Sequence, residues 1–244
     1  MSRLRQRLTE QYARHYLRLN TASEGPRLPR PQYRFFDRTF AHVVRALPPA
    51  SRVLDLGCGT GQLLQWLAHQ SNLVPIGVDT SSAQVSIARA KLAGIEIHAA
   101  DGLGFLRERA GAFHAIFCVD VLEHIPGDDV LLELIEFAVE ALKPGGAFVC
   151  RTPNAANLFA CYSRYMDLTH ERCFTSSSII QLLESAGLER CRVFPTRPGT
   201  FRGQLALSIE RILHRVLFAL TGRSGETGFS MNLNALGYKK SDDR

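Results

Sequence analysis

A glycine-rich segment after a short apolar run is the first place where the sequence indicates chemistry. The run Val53-Leu-Asp-Leu56 is followed by glycines at alternate positions, Gly57, Gly59 and Gly61. Glycine has no Cβ, so such a segment can turn sharply and let a ligand approach the backbone closely. A helical pattern begins directly afterwards, and its first amides would point towards that ligand. The segment therefore predicts a binding loop at a strand-to-helix junction.

Acidic residues end the apolar runs that follow this loop. Asp79 ends Ile76-Gly-Val-Asp79, 18 residues after Gly61, and Asp101 ends a run that begins at Ile95. In dinucleotide-binding folds an acid at about that distance binds ribose hydroxyls. An ionised carboxylate suits that task because it offers two acceptor oxygens. The spacing therefore favours a ligand that contains a nucleoside.

Residues able to move a proton follow the fourth apolar run. Asp120, Glu123 and His124 stand at i, i+3 and i+4, and all three project to one side if Asp120 begins a helical turn. Asp167-Leu-Thr-His170 adds a second histidine. Imidazole titrates near neutrality, so either His124 or His170 can serve as a general base. In the structural alternative, Asp120 caps the turn, Glu123 is solvated and His170 holds a loop.

Alternating strand and helix patterns must position these residues. The strands are predicted at 52–56, 74–78, 95–99, 114–119 and 147–151, and the helices between them at 60–70, 82–92, 103–109 and 128–142. This alternation predicts a parallel sheet with helices on both faces and a ligand crevice beyond the carboxyl ends of the strands. A further helix at 176–186 and closing strands at 190–195 and 231–238 complete the prediction.

The chain divides into a basic cap and one larger domain. Residues 1–48 are expected to form a helical cap, with helices at 2–20 and 33–46, and residues 49–244 form the main domain. Residues 1–50 hold 10 Arg, no Lys and 3 acids, which gives a net charge of +7. The whole chain carries +6, so the remaining residues carry −1. This basic part can meet phosphates, an anionic membrane or an acidic substrate, or it can be a solvated face.

Two segments of the main domain stand out from the alternation. Residues 152–175 are predicted to be an irregular connection that carries active-site residues, because long connections in compact domains are often functional. Residues 203–221 form a predicted amphipathic helical insertion. Its helix at 204–220 can lie in a membrane interface or bury the same apolar face as a lid or in a dimer.

Composition favours a cytoplasmic protein. No apolar run reaches the length of a membrane span, and the Arg-rich N-terminus lacks the apolar stretch of a secretory signal. The six cysteines include no CxxC pair, so reduced thiols are the simplest interpretation. We expect a cytoplasmic location, with peripheral contact at the inner membrane surface left open.

Taken together, the five strand and loop motifs between residues 50 and 155 resemble those of class I S-adenosylmethionine (SAM) methyltransferases. The resemblance implies an α/β fold with a doubly wound, mostly parallel seven-stranded sheet and an antiparallel closing hairpin. It also implies SAM as the cofactor. A nicotinamide enzyme is less favoured, because its glycine pattern is usually GxGxxG and the pattern here is GxGxG.

The same resemblance implies a role for each cofactor residue. Asp55 would receive the SAM ammonium, the glycines would let the methionine part pass, and Asp79 would accept both ribose hydroxyls. Asp101, with Gly102 beside it, would accept from the adenine amino group. The implied set, in which Val119 lies near the sulfonium and Arg34 closes the site, is Asp55, Gly57, Gly59, Gly61, Asp79, Asp101, Gly102, Val119 and Arg34.

The acceptor side resembles the ubiquinone-pathway O-methyltransferases, whose pattern is an acid, two residues, Glu-His and a distant Thr-His. Some relatives, including ribose O-methyltransferases that act on small-RNA ends, place a divalent ion on the equivalent acids and histidines. The resemblance therefore implies Mg²⁺, Mn²⁺ or Zn²⁺ on Asp120, Glu123, His124 and His170. Such an ion would lower the pKa of a substrate hydroxyl and fix its direction. The first acid here is Asp rather than the commoner Glu.

The segment from Asp167 to Ser178 also resembles bacterial methyltransferases found with glycan synthesis. Both resemblances favour a hydroxyl acceptor on a small molecule, a sugar or a lipid-linked compound. The sequence contains no nucleic-acid recognition module, and both a monomer and a homodimer fit. The leading hypothesis is a SAM-dependent O-methyltransferase. The alternatives are an RNA-ribose or N-methyltransferase and a non-catalytic SAM-binding protein, which would not need Glu123, His124 and His170 together.

Overall fold

Seven strands form one sheet in the computed structural model, which describes residues 7–8, 27–70, 73–222 and 228–241. The strands are β1 Ser51–Leu56, β2 Leu73–Asp79, β3 Glu96–Ala99, β4 Phe113–Val119, β5 Leu142–Pro153, β6 Leu188–Phe194 and β7 Asn232–Lys239. Their order in the sheet is β3-β2-β1-β4-β5-β7-β6. Only β7 runs antiparallel to its neighbours, so the predicted fold class and closing hairpin are confirmed.

Helices cover both faces of this sheet. They are α1 Arg30–Val44, α2 Gln62–Ala68, α3 Ser82–Lys91, α4 Gly102–Arg107, α5 Asp128–Ala141, α6 Ala160–Tyr165, α7 Ser176–Ser185 and α8 Phe201–Leu220. A short 3₁₀ turn spans Leu122–His124. Side chains cap several of these helices: Ser81 accepts from the Gln84 amide, and Thr175 and Ser178 form a capping box.

Alternation along the central strands divides the core between two helical layers. Val53 packs with Phe40 of α1 and Trp66 of α2 on one face. Its neighbour Leu54 belongs to the cluster on the other face, where α4, α5 and α7 pack. Successive strand residues point to opposite faces, so a strand buried on both sides must be apolar throughout. This packing fixes the carboxyl ends of β1, β2 and β4 next to one another.

The structure corrects two predicted elements and leaves a third outside the described residues. The 152–175 connection is not wholly irregular, since β5 extends through Pro153 and α6 forms within it; this six-residue helix is too short to show an apolar period. The second N-terminal helix starts at Arg30 rather than 33, because proline is compatible with the first helical turn. The helix predicted at 2–20 lies outside the described residues, apart from 7–8.

The six cysteines are unpaired. Within the described ranges, none of the helices combines the length and the apolar character needed to cross a lipid bilayer.

Candidate active site

A cavity of about 530 Å³ opens at the carboxyl ends of β1, β2 and β4. The β1–α2 loop forms its floor, and acids from three strand ends face it. The predicted residues that line it are Asp55, Gly57, Gly59, Asp79, Asp101, Gly102, Val119, Asp120 and His124. The cavity therefore collects, from separate strand-to-helix junctions, most of the residues that the sequence places in a nucleoside site.

The glycine loop needs glycine for both conformation and space. Gly57, Gly59 and Gly61 all have positive φ, at +80°, +52° and +83°. A Cβ on Gly57 would lie 2.3 Å from Cγ2 of Val121. Gly61 plays a different part from the other two: it precedes α2, and a Cβ there would meet Ala88 of α3 at 3.2 Å. Gly61 thus allows helix packing behind the loop rather than lining the cavity.

Asp55 is a buried carboxyl with an unsatisfied acceptor. It is 2% exposed, and its Oδ2 atom has no hydrogen-bond partner among the residues that the structure describes. Burial, together with the charge of Asp79, raises the pKa of Asp55 to about 8. An unpaired buried acceptor is unfavourable unless a ligand supplies a donor. A cation such as an ammonium group would satisfy it.

Two further acids are held by backbone amides. The Asp79 carboxylate accepts from the amides of Gly59 and Ser81, both at 2.8 Å. Burial raises the pKa of this carboxyl, and the two hydrogen bonds oppose that effect. Asp101 accepts from the Gly104 amide at 2.8 Å and so caps α4. A carboxylate has about four lone-pair sites, so both acids retain acceptor capacity towards the cavity.

Arg34 does not reach this cavity. It is exposed on α1, whereas Gln32 and Phe36 of the same helix line the cavity. Positions four apart share a helical face, so the residue midway between them turns away. The resemblance pointed to the correct helix and the wrong side of it.

The carboxylate of Asp120 is paired with Arg151 and not with the catalytic candidates. It has a positive φ of +56° and precedes the 3₁₀ turn, so the expectation that it begins a helical turn is wrong. Its Oδ1 accepts from Nε of Arg151 at 2.8 Å, and its Oδ2 accepts from the same guanidinium. Arg151 lies beside Val119 in the register of β4 and β5, which brings the guanidinium to Asp120.

Glu123, His124 and His170 form a compact group. Ligand-capable atoms of these three side chains all lie within 4.8 Å of one another, and the two imidazole centroids are 4.7 Å apart. Glu123 is 1% exposed, and its Oε2 accepts no hydrogen bond from the described part of the chain. Burial, followed by the charge of Asp120, raises the pKa of the Glu123 carboxyl well above its usual range. The structure thus brings together three of the four predicted ligands and leaves out Asp120.

Hydrogen bonds assign a tautomer to both histidines. The Thr169 hydroxyl donates to Oδ1 of Asp167 at 2.7 Å, so it must accept from Nδ1 of His124, 2.8 Å away. Nδ1 of His170 lies 2.8 Å from the Ser163 carbonyl, which can only accept. Each Nδ1 therefore carries the proton, and each Nε2 is the basic nitrogen.

Asp167 supports this arrangement from below. Its Oδ1 also accepts from the Thr169 amide at 2.8 Å. Burial alone would raise the pKa of Asp167, but hydrogen bonds from Thr169 and the nearby His124 and His170 bring it below its usual value. Asp167 and His170 stand out in the sequence, whereas Thr169 has no predicted role there. The Asp-x-Thr spacing, typical of a side chain bonded to a backbone amide two residues on, was the available signal.

Comparisons with known proteins identify the family of this chain. A family model described as "Methyltransferase domain" matches residues 10–192. The ubiquinone biosynthesis O-methyltransferase of Xanthomonas campestris pv. campestris (strain B100) is 31% identical over 116 residues, which are 46% of this chain and 47% of that protein. The corresponding protein of Aromatoleum aromaticum is 29% identical over 153 residues, 57% of this chain and 64% of that protein. The chain spans about half the length of most of the curated relatives it matches.

Solved structures share the architecture at low identity. A SAM-dependent methyltransferase from Archaeoglobus fulgidus matches with a TM-score of 0.69 and 16% identity, over 92% of this chain and 99% of that one. Phosphoethanolamine N-methyltransferase 2 of Haemonchus contortus, in complex with S-adenosylhomocysteine, matches with a TM-score of 0.57 and 18% identity, over 86% of this chain and 52% of that one. These likenesses establish the fold.

Proposed function

Because the chain belongs to the class I SAM-dependent methyltransferase family, we propose that it transfers the methyl group of SAM to a hydroxyl group of a small molecule. The observation that carries the proposal is the shared cavity: His124 and Thr169 line the same space as Asp55 and Asp79. A base and a nucleoside site thus meet in one enclosure, as in-line transfer requires.

The cavity residues include groups of the types that SAM binding needs. Oδ2 of Asp55, which has no partner among the described residues, would receive the ammonium, and Asp79 has acceptor capacity for the ribose hydroxyls. Asp101 and Gly102 would meet the adenine, and Val119 would lie near the sulfonium. When bound, SAM supplies a methyl group that its positive sulfur already activates. The protein has to position the acceptor, exclude water and remove a proton.

His124 is our candidate for removing that proton. It lines the cavity, and its Nδ1–H donates to Thr169, so Nε2 is the nitrogen that can accept a proton. Glu123 and His170 lie against it and would adjust its position and charge. A non-catalytic SAM-binding protein would not need this arrangement of three polar side chains.

A divalent cation on Glu123, His124 and His170 is the second candidate for activating the hydroxyl. The observations that favour it are the unpartnered Oε2 of Glu123 and the two Nδ1–H donors, since metal-bound imidazoles usually donate their other N–H to an acceptor. Two imidazoles and one carboxylate suit Zn²⁺ or Mn²⁺ better than Mg²⁺. Asp120 is no longer included, because Arg151 holds its carboxylate.

The acceptor is proposed from the relatives alone. Those named ubiquinone biosynthesis O-methyltransferase favour a hydroxylated small molecule over a nitrogen or an RNA ribose. Mass spectrometry of a bacterial extract treated with the enzyme and isotopically labelled SAM would identify the product. A label on oxygen of a small molecule, sugar or lipid-linked compound is expected. A label on nitrogen or RNA would contradict the acceptor class, and absence of SAM binding would contradict the whole proposal.

Two variants and a chelator separate the two roles of the three-residue group. With the acceptor in hand, we expect His124→Ala to lose about 10²- to 10⁴-fold in turnover while retaining SAM affinity. The exposed His69→Ala is the matched control and should be unchanged. A rate that survives chelation supports His124 as the base. A rate lost on chelation and restored by Mn²⁺ or Zn²⁺ supports the cation.

A further inference from the structure

Helix α8 has its apolar side facing outwards. Phe201, Ile212 and Leu220 expose 80%, 65% and 78% of their surface. The exposed apolar residues of α8 recur at spacings of three and four: Phe201, Leu205, Ile209, Ile212, Val216 and Leu220. They form a single stripe along about five helical turns. Within the described part of the chain nothing covers this stripe, and soluble monomers rarely leave apolar surface of that extent open.

The polar side of α8 anchors it to the protein. His214 is fully buried; its Nδ1 donates to the Glu210 carbonyl, and its Nε2 accepts from the Leu158 amide, both at 2.8 Å. The Glu210 carboxylate accepts from the side-chain amide of Asn157. These contacts fix the rotation of α8 about its axis, and they therefore hold its apolar face towards the outside.

The apolar surface continues onto the segment between β5 and α7, which also carries His170. Phe159, Tyr162, Tyr165 and Leu168 each expose more than half of their surface, with Leu158 just below that level. Leu158 bonds to His214 through its amide, which joins this segment to α8. We call the stripe of α8 and these side chains the outer apolar surface.

Charge decides between the partners that could cover this surface. The basic residues of α8, Arg202, Arg211 and Arg215, are exposed or partly exposed, whereas its one acid, Glu210, bonds to Asn157. In a two-fold pair of chains each copy would bring the same positive charge to the shared face, with no exposed acid of α8 to balance it. A bilayer with anionic headgroups accepts the apolar stripe and the arginines together. We propose that the outer apolar surface docks on an anionic phospholipid membrane, with α8 lying in the interface.

Vesicle sedimentation with the full chain tests this proposal without any activity readout. We expect the protein to co-sediment with vesicles of phosphatidylglycerol and phosphatidylcholine, to bind pure phosphatidylcholine weakly, and to release in high salt. The triple change I209S, I212S and V216S should lower vesicle affinity at least about tenfold, since each removes buried apolar surface. The control is Val74→Thr, an exposed apolar residue on β2.

The arginines can be tested separately. R211Q with R215Q should lower affinity for the anionic vesicles by about 5-fold for each charge removed, and Arg192→Gln on β6 should not. Unchanged thermal melting would show that these exposed substitutions leave the fold intact. The proposal would be overturned in favour of a second copy if the protein does not bind anionic vesicles, sediments as a dimer, and becomes a monomer on the triple change. A monomer that ignores both vesicles would overturn it too, and would point to residues 1–26 as the cover.

Discussion

Individual polar groups that lack a partner mark the function of this protein. Asp55 and Glu123 are both buried acids with one oxygen that accepts no hydrogen bond from the described residues; Asp55 lines the cavity, and Glu123 belongs to the group with His124 and His170. Each such group destabilises the unliganded chain, so its persistence indicates a ligand or a proton. The chemistry of the site therefore depends on which ligand group or proton donates to these two carboxyl oxygens.

Asp55 predicts that SAM binding is linked to proton release. Its pKa of about 8 leaves the carboxyl mostly protonated at pH 7, and a bound ammonium would favour the ionised form. We expect release of nearly one proton per SAM at pH 7, and an affinity that rises as pH rises towards 8. Because the folded-state pKa is raised, Asp55 also stabilises the unliganded protein at low pH and loses that contribution as pH rises through about 8.

Calorimetry in buffers of different ionisation enthalpy measures the protons released. Asp55→Asn is the control, and its SAM affinity should be weaker and show no such proton release. Finding no release from the wild-type protein would contradict the proposed link between SAM binding and deprotonation of Asp55.

Thr169 predicts a defined tautomer for His124. Thr169→Val removes the acceptor of the Nδ1 proton, whereas Thr169→Ser keeps it. We expect ¹⁵N NMR of the ring nitrogens to show the Nδ1–H tautomer in the wild type and in Thr169→Ser, and a mixture in Thr169→Val. Turnover should fall in the valine variant and recover in the serine variant, with SAM affinity unchanged. Identical spectra for all three proteins would show that Thr169 does not orient His124.

Elements place these groups through a few unusual backbone conformations at strand ends. Gly57 follows β1 and Asp120 follows β4, and both have positive φ. At Gly57 the chain turns under the cavity; at Asp120 it turns the carboxylate towards Arg151 on β5. Positive φ is uncommon in a residue other than glycine. At Asp120 this conformation occurs together with the ion pair to Arg151, which stabilises it.

Two glycines with nearly equal positive φ allow the cost of backbone strain to be separated from the cost of steric overlap. Gly94→Ala, at φ +85° with open surroundings, should cost about 1 kcal/mol in the free energy of unfolding. Gly57→Ala, at φ +80°, adds a 2.3 Å contact with Val121, for a further ~1–3 kcal/mol. Urea unfolding and SAM calorimetry measure both effects, and only Gly57→Ala should weaken SAM binding. Equal losses in the two variants would show that the loop tolerates a methyl group.

At the scale of the whole molecule, the segment between β6 and α8 packs against α1, the helix that closes one side of the cavity. The Thr39 hydroxyl of α1 lies 3.4 Å from the Arg197 carbonyl and accepts from the Arg197 amide at 3.2 Å. Gly199 lies so close to α1 that a Cβ there would be 2.0 Å from the Pro31 carbonyl oxygen. Since α1 carries the cavity residues Gln32 and Phe36, the outer helix and the cofactor site share a mechanical link.

Gly199→Ala tests this link. The added methyl group should displace α1 and so lower SAM affinity, although Gly199 does not line the cavity. Overpacking should also reduce the free energy of unfolding by ~1–3 kcal/mol. Calorimetry and thermal melting measure the two effects. Gly222→Ala, beyond α8 with nothing within 4 Å, is the control and should leave SAM affinity unchanged. An unaltered SAM affinity in Gly199→Ala would mean that α1 is held by other contacts.

The sequence by itself determined the sheet, its order of strands and helices, and the place of the cofactor cavity. Those features depend on local properties: apolar periodicity along each strand, glycine at positive φ, and acids at strand ends. Tertiary structure alone decided which partner each polar group takes. Asp120 pairs with Arg151, 31 residues away, and His124 with Thr169, 45 residues away, while α8 keeps its apolar face outside. Such pairings depend on strand register and helix rotation, which are set by the packing of the whole chain.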